Sequence, residues 1–250
     1  MNDPLMDAMI GLIQHNVAAV TGKSKPAVKS ASGKSQKDLK RLKIDKLFEI
    51  VALSELLTEL RAANNACQFT LMSQGKPGSR LTLQANPGKA DLQKSFVLVS
   101  LGGAAIATIW TNVEFVGMSG PAVSNTARGT YHEADILVLD PAAHHGRAPI
   151  RPSHHHVLLA IECKYLDMLP KAVLRNMLGL RREMSLLGRA LQPSALQTLL
   201  GSVAGTRIAS GLPASPASHL IFCYPSHYKF EPTIDWFAPG KVFGIEFWPL

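Results

Sequence analysis

Cysteine is scarce in this chain: Cys67, Cys163 and Cys223 stand far apart among 250 residues. Three widely spaced thiols make neither a disulfide framework nor a zinc knuckle, and they suit a reducing, cytoplasmic compartment. A basic stretch ahead of an apolar run is also missing. The chain opens Met1-Asn2-Asp3-Pro4, so no secretory signal is read. No apolar run approaches the roughly 20 residues that a membrane-spanning helix needs. The greasiest stretch, Phe96 to Trp110, is broken by Ser100, Gly102 and Gly103 and reads as strand. Internal repeats, helix-turn-helix patterns and zinc-finger patterns are absent. Gly22-Lys23-Ser24 and Gly33-Lys34-Ser35 imitate the end of a phosphate-binding loop. Val17 and Val28 stand where that loop requires its first glycine, which excludes both. Gly117-Met118-Ser119-Gly120 lacks the spacing of a nucleophile elbow and reads as a turn. His144-His145 and His154-His155-His156 are adjacent residues whose side chains point to alternate sides of an extended chain. They read as polar loop, not as a metal site.

What is present describes a folded body: 46% hydrophobic and 18% charged residues. The formal net charge of +8 is strongly local. Between Lys23 and Lys46, eight lysines and Arg41 face only Asp38 and Asp45, so this stretch holds seven of the eight net charges. Residues 1–21 read as an amphipathic helix with Asp3 as cap, Pro4 at the first turn, and Leu5, Met9, Leu12, Ile13, Val17 and Val20 at helical spacing. Residues 22–43 read as a basic, flexible linker by composition. It either contacts phosphates or tethers the first helix, and the regular apolar face favours the tether. Residues 44–250 read as one domain. A second helix is expected over 45–64, with Leu47, Phe48, Val51, Leu56, Leu57 and Leu60 on its apolar face. Strands follow at 68–72, 95–101, 105–116, 133–139 and 156–163, then helices at 170–189 and 194–203, and strands at 219–224 and 242–248. That order predicts an α/β (α+β) core, a central mixed sheet flanked by helices.

Two of these strands carry charged residues where strands seldom do. The first reads Glu133-Ala134-Asp135-Ile136-Leu137-Val138-Leu139-Asp140. The second runs Val157-Leu158-Leu159-Ala160-Ile161 straight into Glu162-Cys163-Lys164. An unbroken apolar run of this length belongs to a strand covered on both faces. Charges that end it are costly unless paired or bound to a cation. Residues i and i+2 share a face, so Glu162 and Lys164 point the same way, and Asp135 on a neighbouring strand can meet them. Converging carboxylates suit Mg²⁺, and a lysine beside them can steady charge on a phosphate or place a water.

This constellation resembles the PD-(D/E)XK nuclease superfamily, the restriction-endonuclease-like proteins. Asp135 matches the first acid, Glu162 the second and Lys164 the lysine. No proline precedes Asp135, which makes Glu133 a rival or auxiliary acid. The family's helix-borne glutamate falls on Glu49, with Glu55 second. The resemblance spans residues 44–190, and the residues beyond it match no named pattern. It implies a restriction-endonuclease-like fold and a Mg²⁺-dependent endonuclease, with Mn²⁺ as a substitute. The metal would be held by Asp135, Glu162 and the main-chain carbonyl of Cys163. It further implies DNA as substrate, phosphate contacts from Arg175, Arg181 and Arg182, and a role in restriction or defence against foreign DNA. A homodimer or larger assembly and partner proteins of a defence system are also implied, with no membrane partner. A repair, recombination or RNA-directed nuclease, or a non-cutting nucleic-acid-binding subunit of the same fold, is the alternative.

Overall fold

A computed structural model describes residues 4–22, 27–32, 35–38, 42–78, 80–84, 86–120, 130–144, 148–188, 192–208, 216–230 and 235–250. Asp3, the expected cap, lies outside them. The first helix, α1 (Pro4–Thr21), packs on α2 (Ile44–Ala63). Met9, Ile13, Val17 and Val20 are buried as their spacing requires. Between them Asn16 donates to Ser54 Oγ at 3.2 Å and to Glu55 Oε1 at 2.8 Å, which registers the two helices against each other.

The stretch read as flexible linker needs correction. It contains β1 (Ala27–Ser32) and β2 (Ser35–Asp38), an antiparallel pair. β1 also lies parallel to β5 (Arg80–Leu83). Composition reports side-chain character. The pairing is made by main-chain amides with a strand distant in sequence, and composition does not register it.

The main sheet has eight strands. They are β3 (Gln68–Ser73), β4 (Lys76–Pro77), β6 (Phe96–Leu101), β7 (Ala104–Val116), β8 (Tyr131–Leu139), β9 (Val157–Cys163), β11 (His219–Tyr224) and β13 (Ile245–Pro249), in the order β13-β11-β9-β8-β7-β6-β3-β4. From β3 through β6, β7 and β8 to β9 all neighbours are antiparallel. At β9 the sense changes: β11 runs parallel to β9, and β13 parallel to β11. Those parallel pairs are reached by crossovers through α3 (Lys171–Met184), α4 (Ala195–Leu200) and α5 (Phe237–Val242). β10 (Met168–Leu169) and β12 (Lys229–Phe230) pair separately. The architecture is the mixed α/β fold that the sequence predicts. Among the described residues no helix is long and apolar enough to cross a membrane.

β9 explains its own composition. Leu159 and Ile161 face the core shared with α1, α2 and α4, while Ala160 faces the core shared with α3. Both faces are covered, so apolar residues follow one another without alternation. α3 stops five residues before its expected end, because Ser185 is extended. The Arg181 guanidinium accounts for this by holding the Ser185 carbonyl at 2.9 Å and the Ser218 carbonyl at 2.8 Å. α4 likewise ends early, at Gly201, whose φ of 79° favours a residue without a side chain. At the start of α4, Ser194 Oγ lies 2.6 Å from His219 Nε2, and His219 Nδ1 lies 2.9 Å from Glu246 Oε1. Ser, His and acid stand in the order of a hydrolase triad. Ser194 is only 1% exposed, and its oxygen accepts from Gln197 N–H as the cap of α4. The relay therefore ties α4 to β11 and β13 and offers no nucleophile.

Candidate active site

The site forms where β8 and β9 part. Their register pairs Leu137 with Ala160 and Ile136 with Ile161, so one step further Asp135 stands opposite Glu162. The ladder ends there, and Asp135 Oδ2 accepts the Cys163 N–H at 2.8 Å. On the other edge of β9, Lys164 N–H donates to the Cys223 carbonyl at 3.0 Å. Lys164 Nζ turns back to pair with Glu162 Oε1. α2 approaches with Lys46 and Glu49, whose side chains are one helical turn apart and pair at 2.7 Å.

Electrostatics joins these groups. Burial, reinforced by the charge of Asp135, raises the Glu162 carboxyl to about 7 despite Lys164. Burial and Asp135 likewise raise Glu49 to about 7 against the pull of Lys46. Glu133 is raised by burial and by Asp135, with Lys46 and Lys164 opposing. Burial favours neutral Lys164, but Glu162 and Asp135 outweigh it and keep the ammonium charged. Glu49 and Glu162 therefore hold their protons up to about pH 7, although a lysine is paired with each.

The sequence-derived set is thus largely assembled: Asp135, Glu162, Lys164 and Glu49 act on one another, with the exposed Glu133 at the rim. Glu55 is elsewhere. It accepts from Asn16 and pairs with Arg207 at 2.6 Å, which removes it as the second choice for the helix-borne acid. The three arginines of α3 separate. Arg175 and Arg182 line a cleft of about 590 Å³ that also contains Glu133, Glu162, His132 and Asn176. Arg181 points the other way. It is 2% exposed and spends its guanidinium on Ser218 and Ser185, so its expected phosphate contact is corrected to a structural one. Burial lowers its guanidinium to about 10. Glu183 closes the cleft. Burial alone would raise its carboxyl, but hydrogen bonds from the backbone and hydroxyl of Ser119 and from Arg182 hold it at about 2. Gly117 leaves room for this contact, because a Cβ there would meet Glu183 Oε2 at 2.8 Å.

A stability measurement checks the division among the arginines. Arg181→Met should lose about 1–3 kcal/mol in urea unfolding, because buried carbonyls lose their donor. Arg175→Ala, at an exposed position, should stay within about 0.5 kcal/mol of wild type. Equal stability of the two variants would contradict the assignment.

Sequence reasoning missed Lys46 and Asn112. Lys46 was visible three residues ahead of Glu49, at the spacing of a helix pair. Asn112 sits inside a strand pattern that gives no sign of its backbone. Among the described residues, no group of three or more His, Cys, Asp and Glu side chains is arranged to hold a metal ion as it stands. Each acid is instead engaged internally: Asp135 by Cys163 N–H, Glu162 by Lys164, Glu49 by Lys46. The groups that meet here, the carboxylates of Asp135 and Glu162, offer oxygen donors, the ligand type that a hard dication takes. Compared with protein-family models, curated proteins and solved structures, the chain matches none.

Proposed function

We propose that the chain is a metal-dependent nuclease of the PD-(D/E)XK type that hydrolyses phosphodiester bonds of DNA. One observation carries this reading: Asp135 and Glu162 stand opposite each other at the parting of two strands, with Lys164 paired to Glu162. Asp135, Glu162 and the Cys163 carbonyl would hold Mg²⁺, for which Mn²⁺ would substitute. The ion would neutralise the scissile phosphate and make a water acidic enough to attack it. The rest falls to the chain itself. As a ligand, Glu162 would give up its pairing with Lys164, whose ammonium would then be available to steady charge on the phosphate. Arg175 and Arg182, on the wall of the cleft, take flanking phosphates without reading sequence. Dimerisation and defence against foreign DNA follow from the resemblance, a cytoplasmic location follows from the few, widely spaced cysteines, and all three belong to the same proposal.

The test is incubation of supercoiled plasmid with the purified protein and Mg²⁺ or Mn²⁺, repeated with EDTA. Nicked or linear product that disappears with EDTA is expected. Binding of DNA without cleavage in either metal would overturn the reading in favour of a non-cutting subunit. Cleavage of RNA alone would change the substrate.

A further inference from the structure

A second lysine stands at the acids, and a distorted strand holds it there. Asn112 lies inside the 13-residue β7, is 3% exposed, and has φ 51°. The β7–β8 ladder pairs Thr111 with Ile136 and Val113 with Ala134, and it skips the pair between them. The residue that Asn112 would face is Asp135. A left-handed residue inside a strand costs pairing, and apart from glycine only a few residue types, asparagine foremost, tolerate it. The distortion gives the side chain two uses. Asn112 Nδ2 donates to the Gln84 carbonyl at 2.6 Å, and Asn112 Oδ1 accepts from Lys46 Nζ at 3.1 Å. Gln84 is fixed in turn. Its N–H donates to Thr111 Oγ1 at 3.2 Å, and its side-chain oxygen accepts from Lys94 at 2.9 Å. Strained backbone held by such a surround is typical of functional sites.

We propose that Lys46 is a second substrate-contacting cation of this site and that Asn112 is the residue that positions it. The inference rests on the nuclease reading. Lys164 follows β9 and pairs with Glu162, while Lys46 comes from α2 and pairs with Glu49, so two ammonium groups enter one acid cluster from different elements. An ammonium has three donors. A phosphate oxygen would take over the donors that Lys46 gives to Glu49, while Asn112 keeps the lysine anchored. Without the amide of Asn112, the lysine would have no fixed place after that exchange.

The experiment compares Lys46→Ala, Asn112→Gly, the double variant and Lys46→Arg. Glycine suits φ 51° and deletes the amide, so it separates the backbone from the contact. Asn112→Gly should unfold at the wild-type urea midpoint or above it. Its cutting rate should nevertheless fall about as far as that of Lys46→Ala, on the order of 10²-fold. The double variant should be no slower than either single one, and Lys46→Arg should recover part of the rate. Binding of a duplex oligonucleotide in EDTA supplies a readout independent of cleavage. In both single variants the slope of log K against log salt should shrink by about 0.9, the loss of one phosphate contact. A wild-type protein that cuts beside an Asn112→Gly variant with full rate and unchanged slope overturns the proposal. So do single-variant losses that multiply in the double. A wild-type protein that neither cuts nor binds the duplex overturns the nuclease reading itself, and this inference with it, which is a distinct result.

Discussion

Asp135→Asn and Glu162→Gln are each expected to reduce DNA cleavage by at least about 10²–10³-fold while the protein remains folded. The amide substitutions keep size and hydrogen bonding but remove the charge that a dication requires. Asparagine matters at position 135 because Asp135 Oδ2 is the acceptor for the Cys163 N–H. Alanine would leave that amide unpaired, at about 1–3 kcal/mol, and would confuse lost chemistry with lost structure. Lys164→Ala should behave differently. The lysine is no ligand, so calorimetric Mn²⁺ binding should persist while most of the rate is lost. Mn²⁺ affinity falling as far in Lys164→Ala as in Glu162→Gln would reverse the roles given to them. Wild-type cleavage by both purified acid variants would remove the site from this part of the molecule.

The second large effect is a fall in stability as pH rises toward neutrality when no dication is bound. Glu49 and Glu162 are raised from 4.5 to about 7, chiefly by burial and then by Asp135. Below pH 4.5 both the folded and unfolded chains carry these protons. Between 4.5 and about 7 the unfolded chain releases them first, so unfolding gains ground. Above about 7 both states are ionised and the loss is complete. One carboxyl displaced this far corresponds to about 3 kcal/mol, at about 1.4 kcal/mol per pH unit. The two do not simply add, because each responds to Asp135. Burial also lowers His132, His144 and His154 below 6.5, and these act in the opposite sense below that pH. Comparison with Glu162→Gln isolates the acid. The stability of wild type relative to this variant should drop by about 3 kcal/mol between pH 4.5 and 8. Mg²⁺ added to wild type at pH 8 should restore much of it. Urea midpoints of the two proteins that run parallel across this range would show that Glu162 ionises without strain.

Much of the fold and part of the site were legible because they rest on burial. β9 was readable because a strand covered on both faces must be apolar throughout, and the charges that end it then need a partner, which Glu162 and Lys164 find in each other. Likewise α1 and α2 declared themselves through apolar residues at helical spacing. β1 and β2 stayed hidden, since a hairpin joined to β5 by main-chain amides leaves no pattern in lysine-rich, serine-rich sequence. Arginines on α3 look alike in sequence. Only the carbonyls of Ser185 and Ser218, brought close by the fold, show that Arg181 turns inward. Asn112 escaped for the same reason: its meaning comes from a backbone angle and from a contact with Lys46, distant in sequence, and neither leaves a trace in residue order.

The change of strand sense at β9 also has a consequence during synthesis. Everything that aligns Asp135 with Glu162 lies in an antiparallel meander of strands consecutive in sequence, β6 through β9. The brace on the far edge of β9 is different: Lys164 N–H waits for the carbonyl of Cys223, beyond two helices. A chain leaving the ribosome from its N-terminal end therefore carries the acid pair before it can fix the lysine. The stretch beyond residue 190, which matches no named pattern, is the one that finishes the site, and until it folds the acids stand without their braced cation.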